Sequence, residues 1–275
     1  MFAVRLSRLD DLAEFRPAAR RLIAARAAPD EVRWLEDECV DLFGVAPPEH
    51  EAVLRVPAGF AVLAESVAQH RDPVRWALLY EALWRIAGGE PRLLEAVADP
   101  LVHRLRRMEA AVRRDAHRIT AFLRFRAVAD AAGERFVAWY EPDHRILRQA
   151  AEFFIDRFAA MRWSILTPDG CLHWDTRALS TSAGLHPSAA PPADTLEAWW
   201  QGYYRATFNP ARANPALLRS HMPKRFWRNL PEAGEIEPLL AEAGARTQGM
   251  LEGARIPATD GAFVTHEQNR RKDRP

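Results

Sequence analysis

The sequence predicts an α+β fold: an antiparallel sheet over about residues 119–182, packed with helices, plus a small N-terminal α/β unit. Three observations predict it. Short runs of period-two alternation recur between 119 and 182, and apolar residues at helical spacing fill the segments on either side. Clusters of Gly, Pro and Asp separate one pattern from the other.

The elements follow in order. "FAVRL" alternates as a strand, and "DLAEFRPAARRLIAARA" repeats apolar residues as a helix does. "VRWL" is a second strand before a Pro- and Gly-containing loop at 44–50, and "EAVLRV" is expected to return to the same sheet. Residues 1–68 form the leading unit, mildly acidic, with eleven Asp and Glu against seven Arg between Met1 and Glu51. The main domain is expected at 69–252. It opens on "DPVRWALLYEALWRIAGGEP", where Asp72 suits an N-cap, Pro73 the first turn, and Gly88 and Gly89 the stop. Trp76, Leu79, Tyr80, Leu83 and Ala87 share one face of that helix. A short helix, "PRLLEAVA", precedes the long basic one. "ITAFLRFRAV" and "RFVAWYE" flank a hairpin-like "ADAAGE"; a helix, "ILRQAAEFFIDRFAAM", leads to "RWSIL" and "CLHWDT" around the turn "TPDG". "RALSTS" adds a last strand, and a Pro/Ala-rich loop at 187–193 leads to helices in "TLEAWWQGYYRATF", "NPALLRSHM" and "EIEPLLAEAGARTQGMLEGA". Trp199 and Trp200 have core-like spacing, and the polar tail 253–275 is expected to be disordered.

Composition bounds the function. With 275 residues, 48% hydrophobic and 27% charged, the chain can bury a real core. The formal charge is only +1, so attraction to phosphate must come from local patches. Cys39 and Cys171 are the only cysteines, which gives neither a zinc motif nor a disulfide framework. The N-terminus turns acidic at once, unlike a signal peptide, and no apolar run approaches the roughly 20 residues a bilayer requires. The expectation is a cytoplasmic protein with no membrane partner and no cofactor.

Charge is concentrated in "RRMEAAVRRDAHRITAFLRFR", residues 106–126. On a helical wheel Leu101, Leu105, Met108 and Val112 form a narrow apolar stripe, with His103, Arg104, Arg106, Arg107, Arg113, Arg114, His117 and Arg118 on the other half. Glu109 and Asp115 fall at the margins. If a strand follows from Ile119, Arg124 and Arg126 extend the cationic surface onto the sheet, beside Phe122. Between His103 and Arg126 eight arginines stand against two acids, a net +6. A solvated helix face explains many such runs. Like charges at helical spacing nevertheless repel, which favours a visiting anion. A second cluster, "RSHMPKRFWRNLPE", sets Arg219, His221, Lys224, Arg225 and Arg228 around Phe226 and Trp227. Cations interleaved with aromatics suit single-stranded or extruded bases, while core anchoring is the alternative role for Trp227.

Catalytic signals are weaker. Glu141, His144, His173 and Asp175 are the candidates: His173 and Asp175 share a strand face, and His144 closes the neighbouring "WYEPDH". His144, His173 and Asp175 offer N and O donors for zinc or iron, and Glu141, Asp143 and Asp169 a carboxylate set for Mg²⁺, yet no known motif backs either, and the metal assignment is none. There is no GxSxG, P-loop or GxGxxG, and Cys171 reads as an inert thiol.

Several phrases carry a resemblance: "LLYEALWRIAGGEPRLLEAVADPLVHRLRRMEAAVRRDAHRITAFLRFR", "ERFVAWYEPDHRIL", "FAAMRWSILTPD", "HWD", "YYRATFNPAR" and "MPKRFWRNLPEA". Together they resemble a bacterial domain of unknown function labelled "probable DNA metabolism protein", over roughly residues 1–250. Members of that family are encoded beside a radical SAM protein or fused in front of a UdgX-type uracil-DNA glycosylase-like domain. The 275 residues are not expected to include the glycosylase domain of the fused form, so none of that chemistry is carried over to them. The resemblance implies context, tied to Arg114, His117, Arg124, Arg126, Arg162, Lys224 and Arg228. The expected function is DNA binding, damaged or single-stranded, through Arg107, Arg114, His117, Arg118, Arg124, Arg126, Arg162, Lys224, Arg225, Trp227 and Arg228. Its expected partner is a radical SAM or uracil-DNA glycosylase-like protein. The alternatives are a metal-dependent nuclease or other DNA-processing hydrolase, and a protein adaptor with a basic docking face.

Overall fold

The computed structural model describes residues 1–36, 44–130, 133–190 and 196–253. Cys39, nearly all of the tail and the side chains of Trp199 and Trp200 lie outside the description. The fold is mixed α and β, with a five-stranded, mostly antiparallel sheet and a two-stranded N-terminal one. The chain forms two compact units, Met1–Glu197 with Arg228–Leu230, and Ala198–Trp227 with the described residues from Pro231 onward.

In the first unit β1 (Phe2–Leu6) pairs in parallel with β2 (Val32–Glu36). Parallel neighbours need a crossover, and α1 (Phe15–Ala24) supplies it. "EAVLRV" does not return to this sheet: residues 51–56 hold no regular element, and Val53 is 97% exposed. Val45 forms a single parallel bridge with Phe2 instead. Next come α2 (Ala58–Ala68), α3 (Val74–Ala87) and α4 (Pro100–Phe122). The stretch read as "PRLLEAVA" holds only a 3-10 turn at Leu93–Glu95. α3 starts one residue later than expected, with Pro73 at its N-cap position, and Asp72 just ahead of it accepts a bond from Val74 N at 3.0 Å. One core joins Val4, Leu6 and Leu22 of the leading segment to Leu63, Trp76, Tyr80, Leu101 and Leu105.

The larger sheet runs β3 (Arg126–Asp130), β4 (Gly133–Trp139), β5 (Trp163–Leu166), β6 (Cys171–Trp174) and β7 (Leu179–Ser182), in that spatial order. It begins at 126 rather than 119, because α4 stays helical through Phe122. Its pairs are antiparallel except β4 with β5, where α5 (Leu147–Arg157) carries the chain across. Phe125, Phe154, Phe158 and Trp163 pack edge-on and stacked on the α5 side, with ring centroids 5.5–6.3 Å apart.

The second unit holds most of α6 (Leu196–Thr207), α7 (Pro215–His221) and α8 (Ala233–Gly253). Phe226, Ile236, Leu239 and Ala243 are buried within it. Among the described residues no helix is long and apolar enough to cross a membrane.

Candidate functional site

The basic face belongs to α4. Asp99 caps the helix by accepting from Leu101 N at 2.9 Å, with Pro100 in the first turn. Leu101, Leu105, Met108, Val112 and Ile119 are buried. Their spacing turns His103, Arg104, Arg106, Arg107, Arg113, Arg114 and His117 to solvent. Arg106 is held by Glu109 at 3.0 Å. Among the described residues Arg104, Arg107, Arg113 and Arg114 have no carboxylate partner.

The expected surface does not continue onto the sheet. Because residues 119–122 are helical, the alternation that would align Arg124 and Arg126 with α4 is absent. Arg124 turns back to the carbonyls of Ala121 and Leu123, at 2.8 and 3.1 Å. Arg126 pairs with Glu197 at 2.6 Å, and Arg118 with Asp143 at 3.4 Å. Arg162 is half-buried, its carbonyl accepting from Phe136 N at 2.9 Å.

In the second unit Lys224 pairs with Glu237 at 2.8 Å and sits 5.3 Å from the Trp227 ring centre. Arg225 lies over the buried Phe226, 4.8 Å from its centre, and Trp227 Nε1 donates to the Met222 carbonyl at 3.1 Å. These rings are engaged by their own neighbours. Arg228 belongs to the first unit and pairs with Glu141.

The four catalytic candidates are not assembled into a metal site. Glu141 accepts from Trp139 Nε1 at 2.8 Å as well as from Arg228. His173 is bonded through both nitrogens, to Ser164 Oγ at 2.9 Å and Ser182 Oγ at 2.8 Å on the neighbouring strands. Asp175 caps a turn, accepting from Arg177 N and Ala178 N at 2.8 and 2.7 Å, and these donors hold its carboxyl below the usual range. Among the described residues no three His, Cys, Asp or Glu side chains are grouped to hold a metal ion.

What gathers around His144 is a different set. Arg71, between α2 and α3, pins the loop that follows β4: its guanidinium donates to the Asp143 carbonyl at 3.0 Å and the Pro142 carbonyl at 3.3 Å, and forms a two-point pair with Asp169. The backbone N–H of Arg71 donates to His144 Nδ1 at 3.2 Å. His70 stacks on His144, ring centres 4.3 Å apart and planes at 30°. From below, Asp115 of α4 accepts from His144 N at 2.8 Å. Asp115 is fully buried, and its Oδ1 has no bond among the described residues.

Burial raises the Asp115 carboxyl to about 6 and lowers His144 to about 4, the latter helped by His70, Arg71 and Arg114. His70 is also lowered by burial. Near neutral pH the site therefore pairs two uncharged imidazoles with a buried carboxylate. Asp115 had a sequence signal. It falls three residues after Val112 and four before Ile119, inside the buried stripe, where an apolar side chain is the norm.

The model of one family, described as a domain of unknown function (DUF4130), matches residues 73–232. The chain belongs to DUF4130. No curated protein sequence and no solved structure matches it. The DUF4130 region holds α4, the 140–146 loop and the Lys224 segment, while His70 and Arg71 stand just ahead of it.

Proposed function

We propose that this DUF4130 protein binds DNA, single-stranded or damaged, through the outer face of α4. It works beside a partner enzyme, of the radical SAM or uracil-DNA glycosylase-like kind that the sequence resemblance implies. One observation carries the reading: four arginines on one helix, Arg104, Arg107, Arg113 and Arg114, stand in solvent without carboxylate partners among the described residues. Arg107 and Arg114 are two turns apart, about 10.5 Å along the axis, so separate phosphates of one strand can reach them. Guanidinium suits phosphate because its fork of N–H groups matches two oxygens at once. The sheet arginines and the Lys224 segment drop out of this surface, since carboxylates or carbonyls already hold Arg118, Arg124, Arg126, Lys224 and Arg228.

Fluorescence anisotropy with a labelled single-stranded oligonucleotide, across a salt series, tests this. Four phosphate contacts give a slope of log affinity against log salt of about −3, at roughly 0.7 per contact. Arg107→Glu with Arg114→Glu is expected to weaken binding more than tenfold and flatten that slope. Affinity that ignores both salt and these substitutions overturns the reading. If DNA does not bind and a protein co-purifies through the same arginines after nuclease treatment, the face is an adaptor surface.

A further inference from the structure

We propose that the stacked His70–His144 pair is a hydrogen-bond donor site for a phosphodiester oxygen. It makes the contact that fixes a strand beyond the arginines of α4, and it rests on the DNA-binding reading above. The case begins with which nitrogen holds the proton. Arg71 N donates to His144 Nδ1, and Asp72 N donates to His70 Nδ1, each at 3.2 Å. A nitrogen that accepts an N–H has its lone pair there and no proton. Each neutral ring therefore carries its proton on Nε2. The fold fixes the same tautomer twice, by backbone donors one residue apart.

The two Nε2 atoms have no hydrogen-bond partner among the described residues, and neither is shut away from solvent. With ring centres 4.3 Å apart, the stack holds two donors close together. This chemistry is selective. An Nε2 that bears a proton has no lone pair for a metal or for a proton in flight, so the pair is neither a cation site nor a general base. What it takes is an acceptor oxygen.

The surrounding charges choose the kind of acceptor. Arg114 is close enough to oppose protonation of His144, and so is Arg71. Of the carboxylates nearby, Asp169 is matched by Arg71 and Asp143 by Arg118, while Asp115 is buried beneath His144 and Asp72 accepts from the N–H of Val74. Spare N–H groups beside Arg114, which has no carboxylate partner among the described residues, suit an anionic oxygen, and Arg114 links the place to the exposed arginines of α4.

Asparagine separates the donor from the scaffold. Its Oδ1 reaches the position of the imidazole Nδ1 and can still accept the backbone N–H, while the Nε2 donor is lost. His70→Asn and His144→Asn are each expected to weaken single-stranded oligonucleotide binding about tenfold, the low end for a bond to a charged group. The salt slope is expected to stay as in the wild type, because no charge is removed. Arg114→Ala, by contrast, lowers that slope by about 0.7. In ¹⁵N-labelled wild-type protein, inorganic phosphate is expected to shift both Nε2–H resonances. Wild-type affinity in both asparagine variants overturns the donor site and leaves the α4 reading standing. Failure of the wild type to bind DNA overturns both. A response of Nε2–H to the oligonucleotide but not to phosphate assigns the contact to a base oxygen and overturns the phosphodiester. If either variant unfolds, the phosphate titration of the wild type decides.

Discussion

Replacing Asp115 with asparagine isolates the energetic cost of a carboxylate on the buried stripe of α4. Asp115 has no exposed surface, and burial raises its carboxyl from 3.8 to about 6. Within that window the folded protein holds a proton that the unfolded chain has released. Stability therefore falls as pH rises from about 4 to about 6, and is flat above. At ~1.4 kcal/mol per tenfold change in proton affinity, the loss amounts to about 3 kcal/mol. His70, His144 and His173, all lowered by burial, act in the opposite sense, since the unfolded chain binds their protons more readily. The informative quantity is accordingly the difference between wild type and variant, measured by urea unfolding from pH 4 to 7.5. Asparagine can still accept from His144 N and carries no charge, so Asp115→Asn is expected to gain about 2–3 kcal/mol on the wild type across that range. A flat difference, or a variant that loses ground as pH rises, would show that the backbone N–H of His144 and nearby Arg118 stabilise the carboxylate at least as much as burial destabilises it.

Two further perturbations probe the frame of the site. Arg75 is fully buried, pairs with Glu36 at 2.5 Å and donates to the carbonyls of Leu9, Ala68 and Asp72. Arg75→Met leaves those acceptors unmatched and is expected to cost about 3–5 kcal/mol in chemical denaturation. A loss below about 1 kcal/mol would mean that Arg145, 3.6 Å from Glu36, takes over. A Cβ on Gly184 would overlap the Pro168 carbonyl oxygen, so Gly184→Ala must displace the β5–β6 turn. The expected cost is about 1–3 kcal/mol in thermal unfolding, and an unchanged midpoint would refute the close approach.

Much of the architecture was legible locally. β1, β2, β6 and β7 alternate or carry turn signals, and α3 announces itself with Asp72, Pro73 and a one-sided apolar face. α2 went unread because Val62, 67% exposed, places an apolar residue on its outer side and blurs the contrast that marks a helix. "EAVLRV" misled for the converse reason: its alternation corresponds to no buried face. Thr120 and Phe122 favour a strand by type, but the burial of Ile119 on the apolar stripe of α4 keeps them helical. The basic face was visible from periodicity alone, whereas its extent was not, since Arg126 finds Glu197 only through tertiary contact. His70 meets His144 across 74 positions, and Arg71 meets Asp169 across 98. No local pattern encodes such meetings.

The apolar interior shared by Val4, Leu6 and Leu22 with Trp76, Tyr80 and Leu105 bears on how this protein can be handled. An expression fragment trimmed to residues 73–232, the span of the family match, would discard His70 and Arg71 together with the strand–helix–strand cover over α3. The newly bared tryptophan and tyrosine faces would draw such fragments into aggregates. Recombinant work, domain grafting and tag placement should keep the first 68 residues attached.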